Sequence, residues 1–103
     1  MTTPVTPAAG NASVVTTGGT PVMAAAGAIN GGYITNPIDA ASQGIATAEP
    51  LFVDPVGGAS ALIGNGTTTE LQPGQSYQMI PGQTTPTYVN AASSGHKFTV
   101  VVW

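Results

Sequence analysis

Turn residues punctuate this chain so often that no regular element can run long. Fourteen glycines and nine prolines are spread over 103 residues. Between them lie short runs of β-branched and aromatic residues at about 8–12-residue spacing, and such runs read as strands. The strongest is the last, His96-Lys97-Phe98-Thr99-Val100-Val101-Val102-Trp103. Side chains alternate along a strand, so Phe98, Val100 and Val102 share one face, and Thr99, Val101 and Trp103 share the other. An apolar terminal run of this kind is expected to be covered by the rest of the chain or by another copy.

The remaining segments follow in order. Ala12 to Thr17 and Thr20 to Ala25 are expected to form two strands joined as a tight hairpin at Gly18-Gly19. Pro21 has no N–H to give a ladder, so the second strand starts there or lies at an edge. Gly31 to Asn36 is a short strand ending at Pro37. A helix of two turns at most is expected next, with Asn36 as cap, Pro37 at the first position and Gly44 at the end. Ile38 and Ala41 would then face the sheet. Pro50 and Pro55 bracket a strand whose paired part is Leu51 to Asp54. Asn65-Gly66, between Leu62-Ile63 and the threonines after it, is a hairpin signal. The clearest supersecondary unit is Thr67 to Gln72, a Pro73-Gly74 type II turn, and Gln75 to Ile80. Pro81-Gly82 is a second turn, Pro86 to Asn90 another strand, and Ser93-Ser94-Gly95 a turn into the terminal strand. Short connections imply antiparallel pairing. About eight short strands of this kind predict an all-β domain: a small antiparallel β-sandwich, jelly roll or barrel. Residues 1–11, with Pro4 and Pro7, read as an extended N-terminal arm, and residues 12–103 as the β-sandwich domain.

Charge is nearly absent. Asp39, Glu49, Asp54 and Glu70 face a single base, Lys97, so charged residues make up 5% of the chain, against about 25% in ordinary soluble domains. A mixed charged surface cannot be built from this sequence. The surface must be Thr, Ser, Asn, Gln and Gly, or much of it must lie against neighbours. One Lys cannot neutralise many phosphates, which argues against nucleic-acid binding. There is no cysteine, which excludes disulfides and thiolate sites. No apolar run approaches the roughly 20 residues of a membrane-spanning helix. The N-terminus lacks the basic and hydrophobic regions of a signal peptide, and none is expected. Asn11-Ala12-Ser13 and Asn65-Gly66-Thr67 therefore read as turns.

Little reactive material remains. A nucleophile needs a base oriented by an acid, and the sole histidine, His96, sits at a strand start beside Ser93 and Ser94 with no such acid nearby in sequence. Its expected role is structural, satisfied by one backbone carbonyl. Glu49 and Asp54 flank one strand on opposite faces, and Glu70 belongs to another strand, so no carboxylate pair for glycoside hydrolysis is formed. These acids are expected to face solvent or cap turns. Asp39 and Asp54 stand alone in their loops, which does not suit calcium, and zinc would want His or Cys clusters. Gly64-Asn65-Gly66 lacks the Lys-Ser/Thr of a phosphate loop. No catalytic, cofactor or metal residue is expected, and the chain reads as no enzyme. Tyr33, Tyr77, Tyr88 and Trp103 could line a sugar-binding face, but core or interface positions fit them better. The interface candidates are Pro4, Val5 and Pro7 on the arm, and Val101 and Trp103 on the terminal strand.

Four segments carry a family resemblance: Gly32-Tyr33-Ile34-Thr35-Asn36-Pro37, Ala48-Glu49-Pro50-Leu51-Phe52-Val53-Asp54-Pro55, Leu71-Gln72-Pro73-Gly74-Gln75-Ser76-Tyr77 and Gly95-His96-Lys97-Phe98-Thr99-Val100. In their order the chain resembles small virion structural proteins of tailed bacteriophages, over roughly residues 30 to 103. The resemblance implies a capsid decoration (cement) protein that binds the outer capsid surface. It implies the major capsid protein and further copies of this chain as partners, in a homo-oligomer with a trimer favoured, and no catalytic residues. Such a protein is made in the host cytoplasm and ends on the capsid exterior. The alternative is a carbohydrate- or surface-binding β-module of a phage fibre or bacterial surface layer.

Overall fold

The computed structural model describes residues 13–26, 30–56 and 66–103. Among them are nine strands: β1 (Val14–Val15), β2 (Val22–Ala25), β3 (Gly32–Thr35), β4 (Leu51–Asp54), β5 (Thr69–Leu71), β6 (Ser76–Met79), β7 (Thr87–Asn90), β8 (His96–Lys97) and β9 (Thr99–Val102). A single-turn helix, α1 (Ala40–Gln43), lies between β3 and β4. All pairings are antiparallel. The protein is thus a small all-β domain, as the turn spacing predicts.

One sheet has the order β2-β7-β4-β5, and a second has β6-β3-β9, while β1 pairs with β8. The strands β8 and β9 are one run of chain on either side of Phe98. Its backbone hydrogen bonds show how the pieces join. Phe98 N–H donates to Ser13 O at 3.0 Å, and Trp103 N–H donates to Gly31 O at 3.1 Å. Successive residues of an extended strand turn their backbone groups to opposite edges. The even-numbered residue therefore addresses β1 and the odd-numbered one addresses β3. The terminal strand lies between them, and the second sheet reads β1-β8/β9-β3-β6. Together with β2-β7-β4-β5 this is the strand order of a jelly roll, two interlocked Greek keys.

Both sheets contribute to one core. Val15, Ile34, Met79, Phe98, Val100 and Val102 from one sheet and Ala24, Leu51, Val53, Leu71 and Val89 from the other form one buried cluster. The predicted split of the terminal strand holds: Phe98, Val100 and Val102 are buried, Thr99 is exposed, and Val101 and Trp103 are half-buried. Pro21 stands just outside β2, which is an edge strand, and Pro50 and Pro55 stand just outside β4, which is central.

Three local expectations differ from the structure, the first two for one physical reason. Gly18-Gly19 does make a turn, closed by Thr20 N–H on Thr17 O at 3.0 Å. Yet β1 and β2 are not a hairpin, because β1 pairs with β8 and β2 with β7. The Pro73-Gly74 turn forms too, with Gln75 N–H on Gln72 O at 2.9 Å and Gly74 at φ 89. Its two strands also diverge, β5 to β4 and β6 to β3. Both turns are corners that carry the chain from one sheet to the other. A turn dictates a local reversal, but the apolar faces on either side decide which sheet each arm joins. The helix starts later than expected. Asp39, not Asn36, caps it by accepting from Ser42 N–H at 2.8 Å, and Gly44 ends it in the left-handed region at φ 75. The later start rotates its faces. Ile38, expected against the sheet, is 73% exposed. Ala41 is exposed as well, and Gln43 is the buried residue. Asn65 of the expected Asn65-Gly66 hairpin, with the rest of residues 57–65, and the N-terminal arm lie outside the described residues.

Candidate functional site

Two features distinguish this domain from a plain β core: a buried polar knot around His96 and an outer face over β6, β3 and β9 whose strands carry no charge. His96 is wholly buried at the start of β8. Its Nε2 lies 2.9 Å from Asn36 Oδ1, not on a backbone carbonyl as expected. Asn36 follows directly on β3 and is itself fully buried. Its Nδ2 donates to Leu71 O at 2.9 Å and to Glu49 O at 3.0 Å. That fixes Oδ1 as the acceptor, so His96 Nε2 carries the ring proton. Gln43 completes the knot. Its Nε2 donates to Asn36 Oδ1 at 3.0 Å and to Pro37 O at 2.9 Å, and its Oε1 accepts from Glu49 N–H at 3.0 Å. Segments from β3, α1, β5 and β8 are thereby tied together.

The carboxylate of Glu49 caps the far turn. Its Oε2 accepts from Ala92 N–H at 2.9 Å and Ser93 N–H at 3.0 Å, which bears out the turn-capping role. The same oxygen stands 3.7 Å from His96 Nδ1, and Nδ1 has no hydrogen-bond partner. Burial pushes the His96 pKa below its ordinary value of 6.5, against the opposing pull of the Glu49 charge. For Glu49, burial acts upward, but the Ser93 hydrogen bonds, the His96 charge and the Ala92 N–H together hold it below its ordinary value of 4.5.

The sign of the pH response follows. A base whose folded pKa is depressed binds fewer protons folded than unfolded, so its contribution is full above pH 6.5 and is lost as pH falls through the folded value. A depressed carboxylate acts in the same direction, below pH 4.5. Thermal unfolding should therefore show a falling Tm from about pH 6.5 downward. His96→Gln, which keeps an N–H for Asn36, should flatten that fall between the two ordinary values. An equal slope in both proteins would refute the assignment.

Asp54 is the one buried acid among the described residues, where the expectation was that the acids face solvent or cap turns. It is fully buried. Its Oδ2 accepts from Thr67 Oγ1 at 2.8 Å and Thr68 Oγ1 at 3.1 Å, and its Oδ1 accepts from Val56 N–H at 2.9 Å. Asp54 therefore anchors the chain on both sides of residues 57–65. Among the described residues no group of three or more His, Cys, Asp or Glu is placed to hold a metal ion. No helix of the described residues is long and apolar enough to cross a membrane.

The knot is closed to solvent, and apart from His96 Nδ1 its ring and amide groups are occupied by hydrogen bonds. The outer face of β6-β3-β9 is open. The strands forming it contain no charged residue. Tyr33 is exposed and sits between Val101 and Gln78 in register. The Trp103 ring lies over Gly31, where an added Cβ would meet its Cε2, Cζ2 and Nε1 atoms at 3.2 Å. Ile80, exposed, follows Met79 at the same end. One end of this face is therefore apolar and aromatic. The other carries Thr35, Ser76 and Thr99, with Thr35 and Ser76 hydroxyls 2.6 Å apart. Of the interface candidates, the structure brings Val101 and Trp103 together on this face, and Pro4, Val5 and Pro7 lie outside the described residues. Tyr33 was named for a sugar-binding face or, better, a core or interface position, and its place opposite Val101 comes from the β3–β9 pairing. Asn36 and Gln43 gave no signal, since each looked like an ordinary cap or helix residue.

The chain matches no family model, no curated protein and no solved structure.

Proposed function

We propose that this protein is a non-enzymatic structural subunit of a virion, a capsid decoration protein that attaches to the outer capsid surface and reinforces it through subunit contacts. The observation that carries this reading is the uncharged β6-β3-β9 face, with Tyr33, Val101, Trp103 and Ile80 at one end. Interface centres are depleted of charge and enriched in Tyr and Trp. Solvation of a lone monomer is poorly served by such a face, whereas attachment to a partner uses it. The strand order lends support, because jelly rolls recur in viral capsid proteins. Fold alone does not assign the role.

Purified virions test the proposal: the chain should be present at a fixed ratio to the major capsid protein, and its absence from particles would sink it. Within that test, Val101→Glu should strip the protein from particles, because it puts a charge at the centre of the face. The expected loss is about tenfold or more in affinity, with the fold retained, since Val101 is half-buried and points outward.

A carbohydrate-binding module is the second reading, and it rests on one observation: Tyr33 and Trp103 present rings on the same open face. Jelly rolls serve lectins as well. Binding to a glycan array that is abolished by Trp103→Ala, together with absence from virions, would favour it.

A further inference from the structure

The two sheets end in four edge strands, and three of them are guarded. An unpaired edge is a template for another strand unless it is short, charged, kinked or flanked by proline. β1 is only two residues long. β2 starts after Pro21 and is broken by a register shift between Met23 and Ala25. β5 carries Glu70 at its centre. β6 has no charge, no register shift and no proline within or next to the strand, Pro73 and Pro81 lying in the turns beyond it. Its four residues, Ser76-Tyr77-Gln78-Met79, hold unbroken register with β3, and they include no charge and no proline.

The direction of its free groups is fixed by the ladder. Asn36 N–H donates to Gln75 O at 3.0 Å, so Gln75 and then Tyr77 and Met79 turn their backbone groups toward β3. Ser76 and Gln78 turn theirs outward, to the open edge. At the next residue, Ile80 O is already taken by Gln83 N–H at 3.2 Å in the Pro81-Gly82 turn. The exposed edge is thus a short, bounded pair of residues with free N–H and C=O groups, closed at either end by a turn.

We propose that β6 pairs with β6 of a second copy of this chain, antiparallel about a two-fold axis at Tyr77. In that register Ser76 faces Gln78 of the partner copy, and Gln78 faces its Ser76. Every outward N–H and C=O of both residues then finds a mate. Tyr77, half-buried against the core, meets its own symmetry copy at the narrow-pair position, where facing side chains come closest. The occupant follows from self-complementarity. A two-fold contact needs one patch that suits itself, and this edge brings no like charges face to face. The same operation on β5 would oppose Glu70 to Glu70, which is unfavourable. Such a pair closes at two copies, in contrast to the trimer that the family resemblance implies. The pairing is independent of the capsid reading.

Sedimentation of the full chain between about 1 and 300 µM should show a monomer–dimer equilibrium. Amide exchange at Ser76 and Gln78 should slow as concentration rises, while Tyr77 and Met79, already bonded to β3, should not respond. Gln78→Pro removes an outward N–H and no bond to β3, and should weaken dimerisation at least about tenfold. The double variant Ser76→Lys, Gln78→Lys supplies edge charges of the kind that guard β5. It should do the same with little change in monomer stability, since within the monomer it gives up only the exposed Thr35–Ser76 hydroxyl contact, and it keeps the test valid if proline disturbs the fold. A wild-type chain that stays monomeric across this range overturns the proposal. So does association without concentration-dependent protection at Ser76 and Gln78, or a strand from a different protein binding β6 while the chain alone stays monomeric.

Discussion

Asn36→Ala should be the most damaging single polar substitution in this protein, lowering the unfolding free energy by about 4 kcal/mol. The side chain donates to Leu71 O and Glu49 O and accepts from Gln43 Nε2 and His96 Nε2. Truncation leaves two buried carbonyls, a buried amide and a buried imidazole N–H without this partner. Each stranded group costs about 1–3 kcal/mol, reduced where a second partner remains. Gln43 still reaches Pro37 O at 2.9 Å and Glu49 O at 3.2 Å, so His96 and Leu71 bear most of the loss. A folded domain of this size has roughly 5–15 kcal/mol in total, so the variant sits near the threshold of folding. Urea unfolding decides it. The midpoint should drop sharply with little change in slope, and a loss under about 1 kcal/mol would show that the knot is not cooperative.

Gly32→Ala is the second large effect, expected at about 3 kcal/mol. Gly32 opens β3, between Met79 on β6 and Val102 on β9. An added Cβ would run into the backbone carbonyl oxygen of Val101, with Met79 Cε at 2.9 Å and Val102 Cα at 3.0 Å. A methyl group can push the Met79 side chain aside, because thioethers repack easily. It cannot push the backbone of the adjacent strand without breaking ladder bonds. Gly82→Ala is the control: no atom lies within 4 Å of its added Cβ, so the only cost should be the strain a Cβ brings to its left-handed backbone, about 1 kcal/mol. Thermal melts of the two variants should separate clearly, and equal Tm values would refute the steric argument.

The strands were legible because alternation and punctuation are local. Val100 and Val102 inward, Val101 and Trp103 outward, and the limits of Leu51–Asp54 between two prolines all follow from period two and from the missing N–H of proline. The candidate surface was half legible. Val101 and Trp103 could be assigned to the outer side of their strand, but their neighbour Tyr33 arrives from residues far upstream, through a pairing that no local pattern encodes. The knot was illegible. Asn36 before a proline is a good helix cap by local rules. It serves the core instead because β3, β5 and β8 converge on it. Asp39 then takes the cap it leaves vacant.

What the sequence by itself determined is the all-β class, the number and limits of most strands, the turns, and the face each residue of the terminal strand presents. Those depend on steric preferences and hydrogen-bonding capacity within a few residues. What only the tertiary structure decided is which turns are hairpins and which are sheet-to-sheet corners, the jelly-roll order, the burial of His96 among Asn36, Gln43 and Glu49, and the unguarded edge at β6. These depend on closing loops across the whole chain, where a strand's partner is chosen by the apolar face that must be covered, and that choice is made jointly by all strands at once.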